Sequence, residues 1–212
     1  MRLGEGPRIS ELTTELDLRA IYKPPSGGAV GKDIAQIDAH FARFIGLSPF
    51  LCIGTVGENG LCDVSPRGGE PGFVAVIDAH TIAMPDRPGN NRLDTLGNIT
   101  RNAGVGLLFF VPGFEDTLRV NGVARVTTDA ELMARFTADG KPPRSVVLID
   151  VKEAYLHCVK AIKRAGLWTQ DAQVDRATFP TAGQVYRDQL KLEVPGEAID
   201  ASLAQDAREN LY

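Results

Sequence analysis

Cysteine is scarce in this chain: Cys52, Cys62 and Cys158 are three residues in 212. The number is odd, there is no Cys-x-x-Cys pair and no metal-ligand spacing, so neither a disulfide framework nor a structural metal site is expected. Free cysteine packs as a small apolar residue, and buried reduced thiols are the expectation. His157 stands beside Cys158, but a strand points neighbouring side chains to opposite faces, which argues against a chelating pair. Positive charge is also short. A net charge of −4 and a pI near 5.4 argue against a sequence-independent grip on nucleic acid or anionic lipid, both of which need a basic surface. Any anion must therefore be held by a local basic cluster. No apolar run approaches the roughly 18 to 20 residues of a membrane span. Met1-Arg2-Leu3-Gly4-Glu5-Gly6-Pro7 lacks the apolar centre of a signal peptide, so a cytoplasmic location is the expectation. With 43% apolar and 24% charged residues, the composition is that of an ordinary globular chain rather than a disordered or fibrous one.

Residues 1–33 read as a peripheral arm, with a helix over Ser10–Arg19 and then a loop carrying Pro24, Pro25, Gly27, Gly28 and Gly31. Ile34, Ile37, Phe41, Phe44 and Ile45 recur at helical spacing, which predicts an amphipathic helix over Ile34–Ile45 closed by Gly46. Strands follow at close intervals. Phe50–Val56 is an apolar run, Asn59-Gly60 is a hairpin pair, and Leu61–Arg67 is the return strand. Phe73–Ile77 and Thr81–Met84 form another pair, Val105–Val111 is of buried type, Leu118–Thr127 alternates, and Ser145–His157 is long. Helices are predicted over Asn91–Ile99, with Asn91 as cap and Leu93 and Leu96 facing the core, and after the Thr128-Asp129-Ala130-Glu131 capping box. A basic turn over Lys160–Leu167 and helices over Gly183–Leu190 and Ile199–Arg208 complete the chain. The strands, counted as six, with few helices between them, predict a mostly antiparallel sheet that closes on itself or packs on a second one.

Two nucleotide motifs fail on inspection. Gly27-Gly28-Ala29-Val30-Gly31-Lys32 has Ser26 in place of the first glycine of a phosphate loop and Asp33 in place of the metal-binding hydroxyl. Gly104-Val105-Gly106 has Phe109 where a dinucleotide fingerprint needs its third glycine. Two other segments place polar groups where packing alone gives no reason for them. In Leu61–Arg67 a strand's period puts Asp63, Ser65 and Arg67 on one face and Cys62, Val64 and Pro66 on the other; this stripe suits either a ligand groove or the solvated face of a hairpin. Pro85-Asp86-Arg87-Pro88-Gly89-Asn90-Asn91-Arg92 leads into a helix start. It joins two guanidiniums to free backbone N–H groups, a combination that suits a phosphate monoester or, more plainly, a solvated turn.

These segments, in their order and spacing, resemble the pyridoxamine 5′-phosphate oxidase-related, flavin mononucleotide-binding family, in particular its short bacterial members of unassigned substrate. The resemblance runs from Phe41 to Trp168 and is carried by Asp63-Val64-Ser65-Pro66-Arg67-Gly68, by the Asp86–Arg92 loop, and by Val105–Phe110 followed by Leu118-Arg119-Val120-Asn121-Gly122. It implies a mainly β fold with peripheral helices, a six-stranded antiparallel split β-barrel over residues 34–168. Residues 169–212 form a helical extension packed on the same domain. It implies flavin mononucleotide (FMN) in a cleft shared by a homodimer. Arg67 would supply one phosphate contact, with Ser65 and Pro66 alongside the flavin, and Asn90, Asn91 and Arg92 at the helix start would supply the next. Thr117 stands where a partner-subunit Gln commonly touches the ring. Lys160, Arg164 and Trp168 resemble the subgroup's terminal motif, with a surface basic helix as the plainer reading of that segment. Cys62 replaces an Arg of the vitamin B6 oxidases, a loss for which Arg87 would compensate. The implied activity is hydride transfer through flavin N5 to or from a small molecule, with NAD(P)H a candidate reductant and pyridoxamine 5′-phosphate oxidase activity itself not expected. A non-catalytic flavin carrier, or a cleft adapted to another ligand such as haem, is the alternative.

Overall fold

The computed structural model describes residues 11–25 and 27–211. Met1–Pro7, Ser10 and Ser26, which entered the reading above, lie outside them. The chain forms two compact units, residues 1–33 and 34–212. In the first, helix α1 (Glu15–Ile21) starts later than the sequence suggests because Thr14 and Asp17 cap each other reciprocally. A single turn, α2 (Gly27–Val30), lies in the stretch expected to be loop.

The second unit opens with α3 (Ala39–Leu47), shorter at its start than predicted. Asp38 caps it through the Phe41 amide, while Ile34 pairs with Ala154 and the Ile37 amide donates to Ala79. The helical spacing of Ile34 and Ile37 thus reported burial rather than helix. Gly46 lies within α3, and Ser48 is the residue that ends it.

Seven strands follow rather than six: β1 (Phe50–Val56), β2 (Cys62–Gly68), β3 (Ala75–Asp78), β4 (Thr81–Asp86), β5 (Gly104–Phe110), β6 (Thr117–Thr127) and β7 (Ser145–His157). They form one antiparallel sheet in the order β2-β1-β5-β6-β7-β4-β3, the split barrel of the expected fold class. Each of the seven lies on a segment read as a strand, so the count of six, not any strand, was in error; β3, four residues at the sheet edge, is the shortest. Helix α4 (Asp94–Arg101) packs on β1, β2 and β6, and α5 (Ala130–Arg135) on β7. Asp129 caps α5 by accepting from the Leu132 amide, so the predicted box at Thr128 is not the device used.

Inward residues of β1, β5, β6 and β7, among them Leu51, Ile53, Leu107, Phe109, Leu118, Val120 and Ile149, form the core with Phe41, Phe44 and Ile45. On β1 and β5 the outward residues stay half-buried or exposed, so these runs are not buried on both faces as their apolarity suggests. The cysteines are free, as expected, but not buried: Cys62 and Cys158 are exposed and Cys52 is half-buried. A bulge at Asn121/Gly122 lets the long β6 and β7 coil. There the backbones approach so closely that a Cβ on Gly122 would lie 2.5 Å from the Asp150 carbonyl. Beyond β7 come α6 (Lys160–Ala165), two short 3₁₀ turns, α7 (Ala182–Leu190) and α8 (Gly196–Glu209). No helix among the described residues is long and apolar enough to cross a membrane.

Candidate phosphate-binding cleft

The end of β2 and the end of β4 lie far apart in strand order, with β1, β5, β6 and β7 between them, yet both line one cleft of about 530 Å³. Ser65, Pro66 and Arg67 come from β2, Asp86 from β4, and Arg87, Asn90, Asn91 and Arg92 from the loop that follows. Burial along β2 alternates so that Asp63, Ser65 and Arg67 are the more covered residues while Val64 is exposed. The polar stripe is therefore the inner wall of a groove, not the wet side of a hairpin.

The loop ends at the start of α4. Asn91 and Leu93 have positive φ (56° and 62°), and Leu93, not Asn91, occupies the cap position, without any side-chain cap. Leu93 is exposed, so only Leu96 of the predicted pair packs on the core. The first-turn amides of Asp94, Thr95 and Leu96 have no acceptor within the helix, because the Gly97 amide is the first to reach back, donating to Leu93 at 2.7 Å. Thr95 lines the cleft and is 3% exposed, and its hydroxyl has no hydrogen-bond partner among the described residues. Uncapped amides, the positive end of the helix dipole and a buried hydroxyl without a partner are the features that suit an anion.

Four arginines line the cleft, in different states. Arg92 is exposed and paired with Asp94 at 2.8 Å, which holds its guanidinium firmly protonated. Arg87 donates to the Phe136 carbonyl at 2.6 Å, bracing the loop against the end of α5. Among the described residues Arg67 donates only to its neighbour Pro66, at 2.8 Å. Arg144 donates to Asn91 Oδ1 at 2.9 Å, and its amide to the Asp86 carbonyl at 3.3 Å. The sequence reading missed Arg144 and Thr95. Arg144 follows Lys141-Pro142-Pro143, and the only clue to its role is the pairing of Asp86 with Ser145, a contact between residues far apart in the chain. Burial pushes the Asp86 carboxyl above its ordinary pKa, and the charges of Arg67 and Arg144 offset part of the rise.

The remaining predicted site residues lie elsewhere in the chain. Thr117 is buried at the start of β6, opposite His157. Lys160 and Arg164 are on α6, and Trp168 donates its indole N–H to the Phe114 carbonyl at 2.6 Å. Lys163 adds an ion pair to Glu115 at 3.1 Å, so this segment rests on the β5–β6 loop. Leu211, beyond α8, also lines the cleft, a contribution no local pattern announces.

The sequence profile of the pyridoxamine 5′-phosphate oxidase family matches residues 37–158, which include every residue of the cleft wall except Leu211. No curated protein matches the chain. Among solved structures, HupZ of Group A Streptococcus is similar at 16% identity over 57% of this chain and 93% of its own, with a TM-score of 0.47. A Lactobacillus delbrueckii protein provisionally classed as a pyridoxamine 5′-phosphate oxidase is 20% identical over 58% of this chain and 98% of its own, with a TM-score of 0.46. An F420 reductase is 17% identical over 54% and 94%, with a TM-score of 0.40.

Proposed function

The chain belongs to the pyridoxamine 5′-phosphate oxidase family, and from that premise we propose that its cleft holds FMN and that the protein is an FMN-dependent oxidoreductase acting on a small molecule. The observation that carries this reading is the donor set at the head of α4. Arg67, Arg144, the uncapped first-turn amides and the unpartnered Thr95 hydroxyl converge on one cleft and fit a phosphate monoester of charge near −2.

Arg67 and Arg144 would hold the phosphate, with Thr95 donating from beneath. Asn91 orients Arg144, and the Asn90 side chain fixes the turn by accepting from the Arg92 amide at 3.1 Å. Ser65 and Pro66 form the wall along which the rest of the cofactor would lie. Bound flavin supplies the redox chemistry, exchanging a hydride at N5, so the chain's task is to bind, orient and exclude water. Thr117, Lys160, Arg164 and Trp168 are outside this protomer's cleft, and in this reading they act on the flavin of a partner copy in a homodimer.

Purified protein is expected to be yellow, and the apo-protein to bind FMN far more tightly than riboflavin. Equal affinities would overturn the phosphate assignment. Anaerobic mixing with NAD(P)H separates an enzyme, whose flavin bleaches rapidly and is reoxidised by an acceptor, from a carrier, whose flavin does not. A direct assay with pyridoxine 5′-phosphate is expected to give no turnover.

A further inference from the structure

Two carboxyls line a cleft that also carries four arginines: Asp94, paired with Arg92, and Asp86. Asp86 closes β4 and is half-buried, and among the described residues no hydrogen bond or ion pair holds its side chain. It lines the same cleft as Arg67 of β2 and Arg144 of the segment leading into β7; the Arg144 amide donates to the Asp86 carbonyl at 3.3 Å, and the charges of both guanidiniums act on its carboxyl. The other charged groups around the cleft are engaged elsewhere, Arg87 with the Phe136 carbonyl and Arg92 with Asp94. Asp86 therefore bears on the same two guanidiniums that a phosphate would use.

We propose that Asp86 sets the affinity of the phosphate subsite: its carboxylate competes with the ligand's phosphate for Arg67 and Arg144, and phosphate binding draws a proton from solvent onto it. The proposal rests on the phosphate assignment made above. A carboxylate and a phosphate dianion sharing one partly desolvated site cannot both stay ionised cheaply; the arginines, the first-turn amides and the Thr95 hydroxyl favour the ionised phosphate, whereas no hydrogen bond among the described residues holds the Asp86 carboxylate, so the proton goes to Asp86. Asp86 starts from a pKa already raised by burial. Once protonated it stops repelling the phosphate and gains an O–H with which to donate to it. The linkage has a definite sign. A carboxyl whose pKa is higher in the bound than in the free protein favours binding at pH values below its free pKa, and this advantage fades as pH rises through its bound pKa. The phosphate's own second ionisation, near pH 6, acts in the opposite direction. The effect is therefore read by comparing variants at one pH rather than from a pH profile alone.

The test is calorimetric and fluorimetric titration of apo wild type, Asp86→Asn and Asp86→Ala with FMN and with riboflavin, near pH 7, in two buffers of different ionisation enthalpy. Both variants are expected to bind FMN on the order of tenfold more tightly than wild type, the factor that one unit of pKa change between free and bound protein represents. Riboflavin affinity should be unchanged, which also reports that the variants are folded. Wild type should take up a fraction of a proton per FMN that neither variant takes up. FMN affinity equal to or weaker than wild type in both variants, or proton uptake that survives the substitutions, would overturn the role of Asp86 while leaving the phosphate site standing. Wild type that fails to prefer FMN over riboflavin would overturn both.

Discussion

Thr95 is the clearest single residue from which to argue function, because its burial has a cost the fold does not recover. A buried hydroxyl without a partner costs about 1 to 3 kcal/mol. Thr95→Val keeps the shape and removes the orphan, so denaturant unfolding of the apo-protein should show a stability gain of about 1 kcal/mol. Titration of the same variant should show FMN bound more weakly by a similar amount, because the ligand loses a donor. A variant that gains stability and loses affinity together identifies a group held ready for a ligand. Arg67→Ala and Arg144→Ala should each weaken FMN binding by about 1.5 to 3 kcal/mol, the range for hydrogen bonds to a charged group, with little change for riboflavin. Arg92→Ala should cost less than either, since its guanidinium is exposed and already paired with Asp94. Arg67 and Arg92 were legible as basic residues at a strand end and a helix start. Arg144 was not, because nothing local distinguishes it from any arginine ahead of a strand.

Among the elements, the two C-terminal helices are joined at a point where only glycine fits. The Gly183 amide donates to Asp200 Oδ1 at 2.8 Å, and a Cβ on Gly183 would collide with the Gly196 carbonyl. Gly183→Ala should therefore part α7 from α8, seen as faster proteolysis within residues 179–196. The Asp200 carboxyl is held below its ordinary pKa by the Thr181 hydroxyl and the Gly183 amide. A lowered folded-state value means that its contribution is present above the unfolded pKa and is lost as pH falls through the folded one. The pair should loosen in acid below about pH 4, where a free Asp takes up its proton, and Asp200→Asn should remove that part of the pH dependence. Hydrogen exchange of the α7 amides would measure both. Element positions themselves were largely readable, since the alternation of β6 and the hairpin pair Asn59-Gly60 are local signals. Helix starts were read less well. Asp38 and Asp129 capped where Ile34 and Thr128 had been expected to begin, because caps compete over a few residues and tertiary pairing, such as Ile34 with Ala154, decides between them.

At the scale of the whole molecule, the outward faces of β1 and β5 carry Phe50, Cys52, Leu108 and Phe110, all incompletely buried in the single chain. In the homodimer proposed with the flavin, occupancy of a shared cleft stabilises the assembly by mass action. Sedimentation at several protein concentrations should show FMN shifting the equilibrium towards the dimer. A flavin-saturated monomer at micromolar concentration would remove the proposed roles of Thr117, Lys160, Arg164 and Trp168.

By itself the sequence determined the class of fold, the order of its strands along the chain and the two segments that wall the cleft. The strands are written in local periodicity and turn chemistry, while the split barrel and the ligand role of the two segments are what the family resemblance implies. Only the tertiary structure decided that the end of β2 meets the end of β4 across four intervening strands, that Arg144 and Leu211 join them, and that Asp86 shares the cleft with Arg67 and Arg144. Those are consequences of sheet curvature and strand register, which depend on contacts between residues far apart in the chain and leave no pattern at any one place in it.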